Sequence, residues 1–386
     1  MAPGGSSGGA EYGADAHPLP RPPFRALARI RRVPPVRPAL ARVRSSPCAL
    51  LPLNLTTRSA RTLTFCHRAT LPACLPARIK RGQRDNGPVI YRFNVGRLEC
   101  AVVSDGQMEP PWEPPLAEFF TPAAGVAATE LQEAMSAAGR SRITIACGYN
   151  CLLVRTADGH AVIDTGLGAR FLGYGPRIEP LVGRLGDGLA SAGAPPAGLA
   201  AVVFTHLHQD HYRGATWSGE LTFPDARGFA HAAEVAFWSQ PGGAAGTGAV
   251  ADEHLESARE AIKLFGERLH AFDDDAEILP GIRTVGAAGH TPGHTAVMVH
   301  SQGDRLLCVG DLFYDPLQLS HPHWCTPWDH DGAAARRSRR RLLDLAADEG
   351  VLVHAYHMPF PGLGAVRRRG DAYAWAPVSS TGTASC

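Results

Sequence analysis

From residue 89 onward the chain alternates between two kinds of apolar pattern. Short runs of five or six residues, Val89-Ile90-Tyr91-Arg92-Phe93 and Leu98-Glu99-Cys100-Ala101-Val102-Val103, read as strands joined by a turn over 94–97, with Asp105-Gly106 ending the second. Asn150-Cys151-Leu152-Leu153-Val154-Arg155 and His160-Ala161-Val162-Ile163-Asp164 predict a hairpin around Asp158-Gly159. Between such runs lie stretches with helical spacing. One starts at 129 with Thr129 as N-cap, and others cover about 178–189, 230–238, 252–269 and 333–347. Leu255, Ala258, Ile262 and Phe265 mark the buried stripe of the fourth, and the last carries arginines that read as a solvated face. The segments 109–115, rich in Pro, and 242–248, rich in Gly, read as loops. No repeat at solenoid spacing is present. The strand and helix pattern occurs twice, which predicts an α/β fold of two β-layers flanked by helices.

Residues 1–88 follow no such pattern. They hold 15 of the 38 Lys and Arg residues but only Glu11, Asp15 and Asp85 of the 36 acidic ones, so the rest of the chain is acidic, with 23 basic against 33 acidic residues. The overall charge of +2 therefore implies nothing about nucleic acid. This Pro-, Gly- and Arg-rich stretch reads as a disordered leader. Its composition is that of an organellar transit peptide, and equally of a basic tail or of a start placed too far upstream; it lacks the charge, apolar core and cleavage site of a secretion signal. One domain over 89–380 is expected to follow it. No apolar run approaches the ~18 residues of a membrane span, so a soluble, cytoplasmic protein is expected, or an organellar one if the leader is a transit peptide. Nine cysteines without a Cys-x-x-Cys pair read as mostly buried thiols in a reducing compartment.

The chemistry concentrates directly after the apolar run Ala201-Val202-Val203-Phe204. Thr205-His206-Leu207-His208-Gln209-Asp210-His211 packs three imidazoles and a carboxylate into six residues, donors suited to zinc and similar cations. While the chain is extended, His206 and His208 point the same way and can share one ion. The chain must then turn, which aims Asp210 and His211 at a second point. Farther on, Gly289-His290-Thr291-Pro292-Gly293-His294-Thr295, the run Leu307-Cys308-Val309-Gly310-Asp311, and His357-Met358-Pro359-Phe360-Pro361-Gly362 offer more donors.

These segments resemble the His-x-His-x-Asp-His signature and later motifs of the metallo-β-lactamase superfamily. With Tyr91-Arg92-Phe93 at the domain start, they look most like its methyl parathion hydrolase and quorum-quenching lactonase group. The resemblance implies an αβ/βα sandwich carrying two zinc ions, although other divalent metals would suit the donors. It assigns His206, His208 and His290 to one ion, Asp210, His211 and His357 to the other, and Asp311 as the bridge. Asp164, in Asp164-Thr165-Gly166, is implied as a supporting group that does not ligate. Tyr314, three residues past Asp311, is implied as a hydrogen-bond donor to the substrate, with an aromatic packing role as its alternative. Asp210 could also take a proton for the leaving group. His294 is expected to make a structural hydrogen bond, and His357 is preferred to His354 as the last ligand.

The reaction implied is attack of a hydroxide held between the metals on an ester, lactone or phosphotriester. A glyoxalase II-like thioesterase, a mononuclear iron oxygenase of persulfide type and a metal-binding protein without turnover are the alternatives. The partner expected is a small-molecule substrate, with no nucleic acid and no membrane, and the resemblance allows a homodimer. Trp112, Phe119, Phe120, Phe171 and Tyr174 are candidates for an apolar mouth.

Overall fold

A computed structural model describes residues 89–108, 115–124, 126–168, 182–240 and 252–378. The expected leader, the loops at 109–114 and 242–248, and the candidates Trp112, Phe171 and Tyr174 lie outside the described residues.

The first half runs β1 (Ile90–Val95), β2 (Leu98–Gln107), α1 (Leu116–Ala124), α2 (Ala128–Ala137), β3 (Gly148–Thr156), β4 (Gly159–Ile163), α3 (Leu185–Ala192), β5 (Leu199–Val203), α4 (Gln209–Tyr212), a small hairpin β6 (Thr216–Trp217) and β7 (Glu220–Leu221), β8 (Arg227–His231), α5 (Ala232–Ser239), α6 (Asp252–Phe265) and β9 (Leu269–Phe272). The second half runs β10 (Glu277–Leu279), β11 (Ile282–Gly286), β12 (Thr295–Ser301), β13 (Asp304–Cys308), α7 (Pro316–Ser320), α8 (Gly332–Asp348), β14 (Leu352–His354), β15 (Leu363–Arg369) and β16 (Ala372–Pro377).

Two mixed sheets result, ordered β1-β2-β3-β4-β5-β8-β9 and β10-β11-β12-β13-β14-β15-β16. Apolar residues on their facing sides, among them Val102, Leu152, Ile163 and Val203 from one and Ile282, Val297, Leu306 and Leu363 from the other, form the central core. The outer face of the first sheet packs on α3 and α6 through Leu185, Leu189, Ala258 and Phe265, and that of the second on α8 through Leu342, Leu343 and Ala346. This is the expected helix-sheet-sheet-helix sandwich. β5, buried on both sides, is apolar throughout, and β3 is apolar over Cys151 to Val154, while β1 alternates, with Tyr91, Phe93 and Val95 inward.

Several boundaries differ from the sequence pattern for physical reasons. β2 does not stop at Asp105-Gly106 but continues to Gln107 through an irregularity between Ser104 and Gly106, because the Asp105 carboxylate turns away to accept the N–H groups of Leu167, Gly168 and Leu185. The N-cap position of α2 is Ala127, with no side-chain capping hydrogen bond, and the expected cap Thr129 is already inside the helix. Of the helix expected over about 178–189, residues 178–181 lie outside the described residues, 182–184 are not helical and α3 starts at Leu185; α6 ends at Phe265 because Gly266, at φ 53°, breaks it before β9. The helix α1 is an element the sequence pattern does not predict, although Leu116, Phe119 and Phe120 stand at helical spacing. Among the described residues no helix is long and apolar enough to cross a membrane.

Candidate metal centre

The histidine-rich segment leaves β5 as a short extended loop, and His208 then occupies the N-cap position of α4, whose first turn contains Asp210 and His211. Gly289 to His294 lie in the loop between β11 and β12, Asp311 follows β13, and His357 follows β14. All of these connections open at one edge of the sandwich, so seven donors distant in sequence come together.

They form two groups. In the first, His206, His208, His290 and Asp311 each offer an atom within 4.8 Å of the others, and in the second Asp210, His211 and His357 do the same. His208 Nδ1 lies 3.0 Å from His206 Nε2 and 2.9 Å from His290 Nε2. Asp311 joins the groups: Oδ2 is 3.2 Å from His290 Nε2, while Oδ1 is 3.0 Å from His211 Nε2 and 3.2 Å from His357 Nε2. Asp210 lies 3.4 Å from His357 Nε2 and is the more accessible carboxylate, with 28% of its side chain exposed against 4% for Asp311.

The far nitrogens of four imidazoles are each occupied. His206 Nδ1 meets Thr205 Oγ1 at 3.1 Å, His211 Nδ1 meets Asp164 Oδ2 at 2.8 Å, His290 Nδ1 meets Asp329 Oδ1 at 3.0 Å, and His357 Nδ1 meets Gly148 O at 3.0 Å and Cys147 Sγ at 3.1 Å. An acceptor on one nitrogen fixes the proton there and leaves the other nitrogen's lone pair facing inward, which is how metal-binding histidines are oriented. His211 Nε2 and Asp311 Oδ1 are buried and make no hydrogen bond, an arrangement that is costly unless a cation or proton occupies the space between such groups. The residues present therefore fit a pair of cations.

The electrostatics agree. Burial pulls the His206 and His208 imidazoles well below their ordinary pKa, and the neighbouring His211 and His290 charges reinforce it against the opposing Asp311 carboxylate, so both are neutral. Burial works against a charge on His211 and His290 too, yet the carboxylates around them prevail and lift the first to about 10 and the second to about 9. Burial likewise opposes charge on Asp311, but the protonated His211 and His357 beside it hold it well below the usual carboxylate range. Without cations, protons held by these histidines balance the carboxylates, and a divalent ion entering would displace them.

Tyr314 stands over this cluster. Its hydroxyl donates to Asp311 Oδ2 at 2.7 Å, its ring stacks on His357 with centroids 5.0 Å apart, and burial and the Asp311 charge push its pKa well up, so it keeps its proton. It also packs edge-on against Phe119, 5.2 Å between centroids. Phe119 and Phe120 are themselves core residues, 4% and 0% exposed.

The remaining histidines fall outside the two groups. His294 accepts the Asp311 N–H with Nε2 at 3.1 Å and donates to Ala287 O with Nδ1 at 3.1 Å; with both nitrogens engaged it is the structural residue expected, and burial depresses its pKa to about 3. His354 sits inside β14, 3.2 Å from Cys308 Sγ. His321 stacks on Trp324, His323 meets Glu130, and the backbone N–H of His330 donates to His290 O.

Sequence reasoning missed the groups that hold the loops together. The buried Glu234, from α5, accepts four hydrogen bonds: Oε1 from Leu207 N–H at 2.9 Å and Trp238 Nε1 at 2.6 Å, Oε2 from Thr291 Oγ1 at 2.6 Å and Gly293 N–H at 2.9 Å. It thereby joins the loop of His206 and His208 to that of His290. A side chain at Gly293 would put its Cβ 2.3 Å from Glu234 N, so the approach requires glycine. Tyr356 donates its hydroxyl to Asp210 O at 2.5 Å and lies against the His211 ring, 4.1 Å between centroids. Asp329, behind His290, is the third such group.

Comparison with known proteins agrees with this geometry. A family model described as the metallo-beta-lactamase superfamily matches residues 144–357. An N-acyl homoserine lactonase of a Bacillus species is 24% identical over 222 residues, 54% of this chain and 80% of the lactonase. Among solved structures, AidC, a dizinc quorum-quenching lactonase in complex with a product, superimposes with a TM-score of 0.67 at 24% identity, covering 76% of this chain and 99% of its own. The hydrolase AbOPH of the beta lactamase superfamily gives 0.64 at 23% identity, covering 77% and 99%. At such identities the structural likeness establishes a shared fold.

Proposed function

The chain belongs to the metallo-β-lactamase superfamily as a metal-dependent hydrolase, and from that premise we propose that it is a dinuclear zinc enzyme cleaving esters, lactones or phosphotriesters of uncharged small molecules. The observation that carries this is the division of Asp311, one oxygen toward His290 and the other toward His211 and His357. A complete second group of Asp210, His211 and His357 favours two ions over the single iron of an oxygenase. Two zinc ions bound there would supply Lewis acidity and a hydroxide nucleophile at neutral pH.

The chain's own residues do the rest. Asp164, Asp329, Thr205 and Gly148 hold the imidazoles so that the lone pairs needed at the centre already point inward, which avoids reorganisation at the moment of reaction. Tyr314 keeps its proton and can donate it as a hydrogen bond to an oxygen of the substrate as charge develops there. Asp210, partly exposed at the rim, is the carboxylate best placed to pass a proton to a departing alkoxide. Tyr149, Tyr314 and Tyr356 pack against the clustered imidazoles of the second group and Trp238 against His208, and this aromatic surround suits an apolar ester better than an ionic substrate.

The test is metal analysis together with assays of acyl-homoserine lactones, aryl esters and phosphotriesters on the zinc-loaded chain, with Asp311→Ala as control. About two zinc per chain and hydrolysis of one of these classes are expected, lost in the control by more than roughly the hundredfold that removal of a supporting partner produces. One iron per chain, or no turnover of any of the three, would refute the proposal.

A further inference from the structure

His290 differs from the other clustered imidazoles in what stands behind it. Its Nδ1 rests on Asp329 at 3.0 Å, and Asp329 Oδ2 accepts the Thr326 N–H at 2.9 Å and lies 3.8 Å from the guanidinium of Arg339. Arg339 belongs to the arginine-rich helix α8, yet it is 1% exposed, whereas Arg336, Arg337, Arg340 and Arg341 of the same helix face solvent. A guanidinium in the interior is costly, and an apolar side chain of similar volume would fill the space without that cost. Its donors are directed at one target. Nε donates to Leu312 O at 2.6 Å, and NH1 donates to Trp324 O at 2.6 Å and Pro322 O at 3.1 Å.

Those three carbonyls belong to both limbs of the connection between Asp311 and α8. The same connection carries Tyr314 and Asp329 and braces the His290 loop through His330 N–H to His290 O at 2.9 Å and Asp331 N–H to Gly289 O at 2.8 Å. One buried cation thus fixes the segment that orients His290 from behind and Tyr314 from above. We infer that Arg339 is a positioning residue for the metal subsite of His206, His208 and His290, acting through Asp329 on the His290 ring and through the carbonyls of Leu312 and Trp324 on the loop that bears Tyr314. This rests on the two-metal proposal above.

The experiment uses the full chain and its variants Arg339→Met, Arg339→Lys and Asp329→Asn, with the exposed Arg337→Met as control. Zinc affinity of each subsite is measured by chelator competition, and the absorption bands of the cobalt-substituted proteins are recorded beside thermal unfolding. Arg339→Met and Asp329→Asn are expected to bind one ion as the unchanged chain does and the other 10–100-fold more weakly, with altered cobalt bands. Arg339→Lys, which keeps the charge and reaches fewer carbonyls, should fall between, and Arg337→Met should change nothing. If Arg339→Met does not fold, Asp329→Asn alone must show the selective loss. Unchanged affinity and unchanged cobalt bands in the folded variants would overturn the inference, whatever their melting temperatures. A wild-type chain that takes up a single ion would instead refute the two-metal proposal, and the Arg339 variants would then be judged on that ion's affinity, an unchanged value again overturning the inference.

Discussion

Asp164 holds His211 through Oδ2 at 2.8 Å from Nδ1, and the same carboxylate accepts Thr205 N–H with Oδ1 and Thr205 Oγ1 with Oδ2, both at 2.8 Å. Every partner of this buried carboxylate is a donor. Asp164→Asn would place an NH2 group against one of them, either against Thr205 N–H or against His211. In the second case the imidazole moves its proton to Nε2, the nitrogen that faces Asp311. Asn tolerates the φ of 57° found here, so the substitution tests chemistry and not backbone strain. A 10–100-fold loss of metal affinity is expected in chelator competition, and affinity equal to that of the unchanged chain would show that the Asp164 charge is dispensable.

The Tyr314 hydroxyl can be removed without disturbing the ring that packs on Phe119 and His357. If the phenol donates to charge that develops in the transition state, Tyr314→Phe lowers kcat about 10- to 100-fold and leaves KM nearly unchanged. A packing role alone predicts unchanged kcat with the ring retained. Steady-state kinetics on the best substrate of the panel separates the two outcomes.

Glu234 answers four donors with two oxygens, so Glu234→Gln must turn an NH2 group toward two of them. Each unsatisfied buried donor costs about 1–3 kcal/mol. Urea unfolding should show a loss of roughly 2 kcal/mol or more, and because the bonds tie the His206 loop to the His290 loop, metal affinity should fall with it. A stable variant with weakened metal binding, or the reverse, would show that the two effects are separable.

The seven clustered residues were legible because metal chemistry narrows the choice to His and Asp, and because His206, His208, Asp210 and His211 are confined to six positions after an apolar strand. The supporting groups were not. Glu234, Asp329 and Arg339 lie outside the donor motifs, and nothing in their local spacing distinguishes a buried Glu on α5 or a buried Arg among exposed ones on α8 from a solvated face, while Tyr356, next to His357, reads as an ordinary core aromatic. The sandwich followed from apolar runs recurring in both halves of the chain. Element ends were read less well, since they depend on such details as the Asp105 carboxylate gathering three N–H groups from 167–185 and Gly266 stopping α6. The Met-Pro-Phe-Pro context that follows His357 favours it over His354 as a donor. In the fold the two are separated by the end of β14, which keeps His354 in the sheet beside Cys308 and releases His357 toward Asp311.

His354 also sets a pH dependence distinct from that of the metal centre. It is wholly buried, its Nε2 has no hydrogen-bond partner, and burial depresses its pKa to about 3. In the unfolded chain a histidine titrates near 6.5. Between about pH 6.5 and 3 the unfolded state therefore binds a proton that the folded state refuses, so stability falls as pH drops through that window and is insensitive to this group above it. The slope this one residue can impose is at most about 1.4 kcal/mol per pH unit. His354→Leu removes the titrating group and an unpaired polar atom together. The difference in urea midpoint between variant and unchanged chain should be constant from pH 8 down to about 7 and should grow in the variant's favour from pH 6.5 to 4.5. A difference that stays constant over that range would mean that His354 takes up its proton in the folded chain as readily as in the unfolded one.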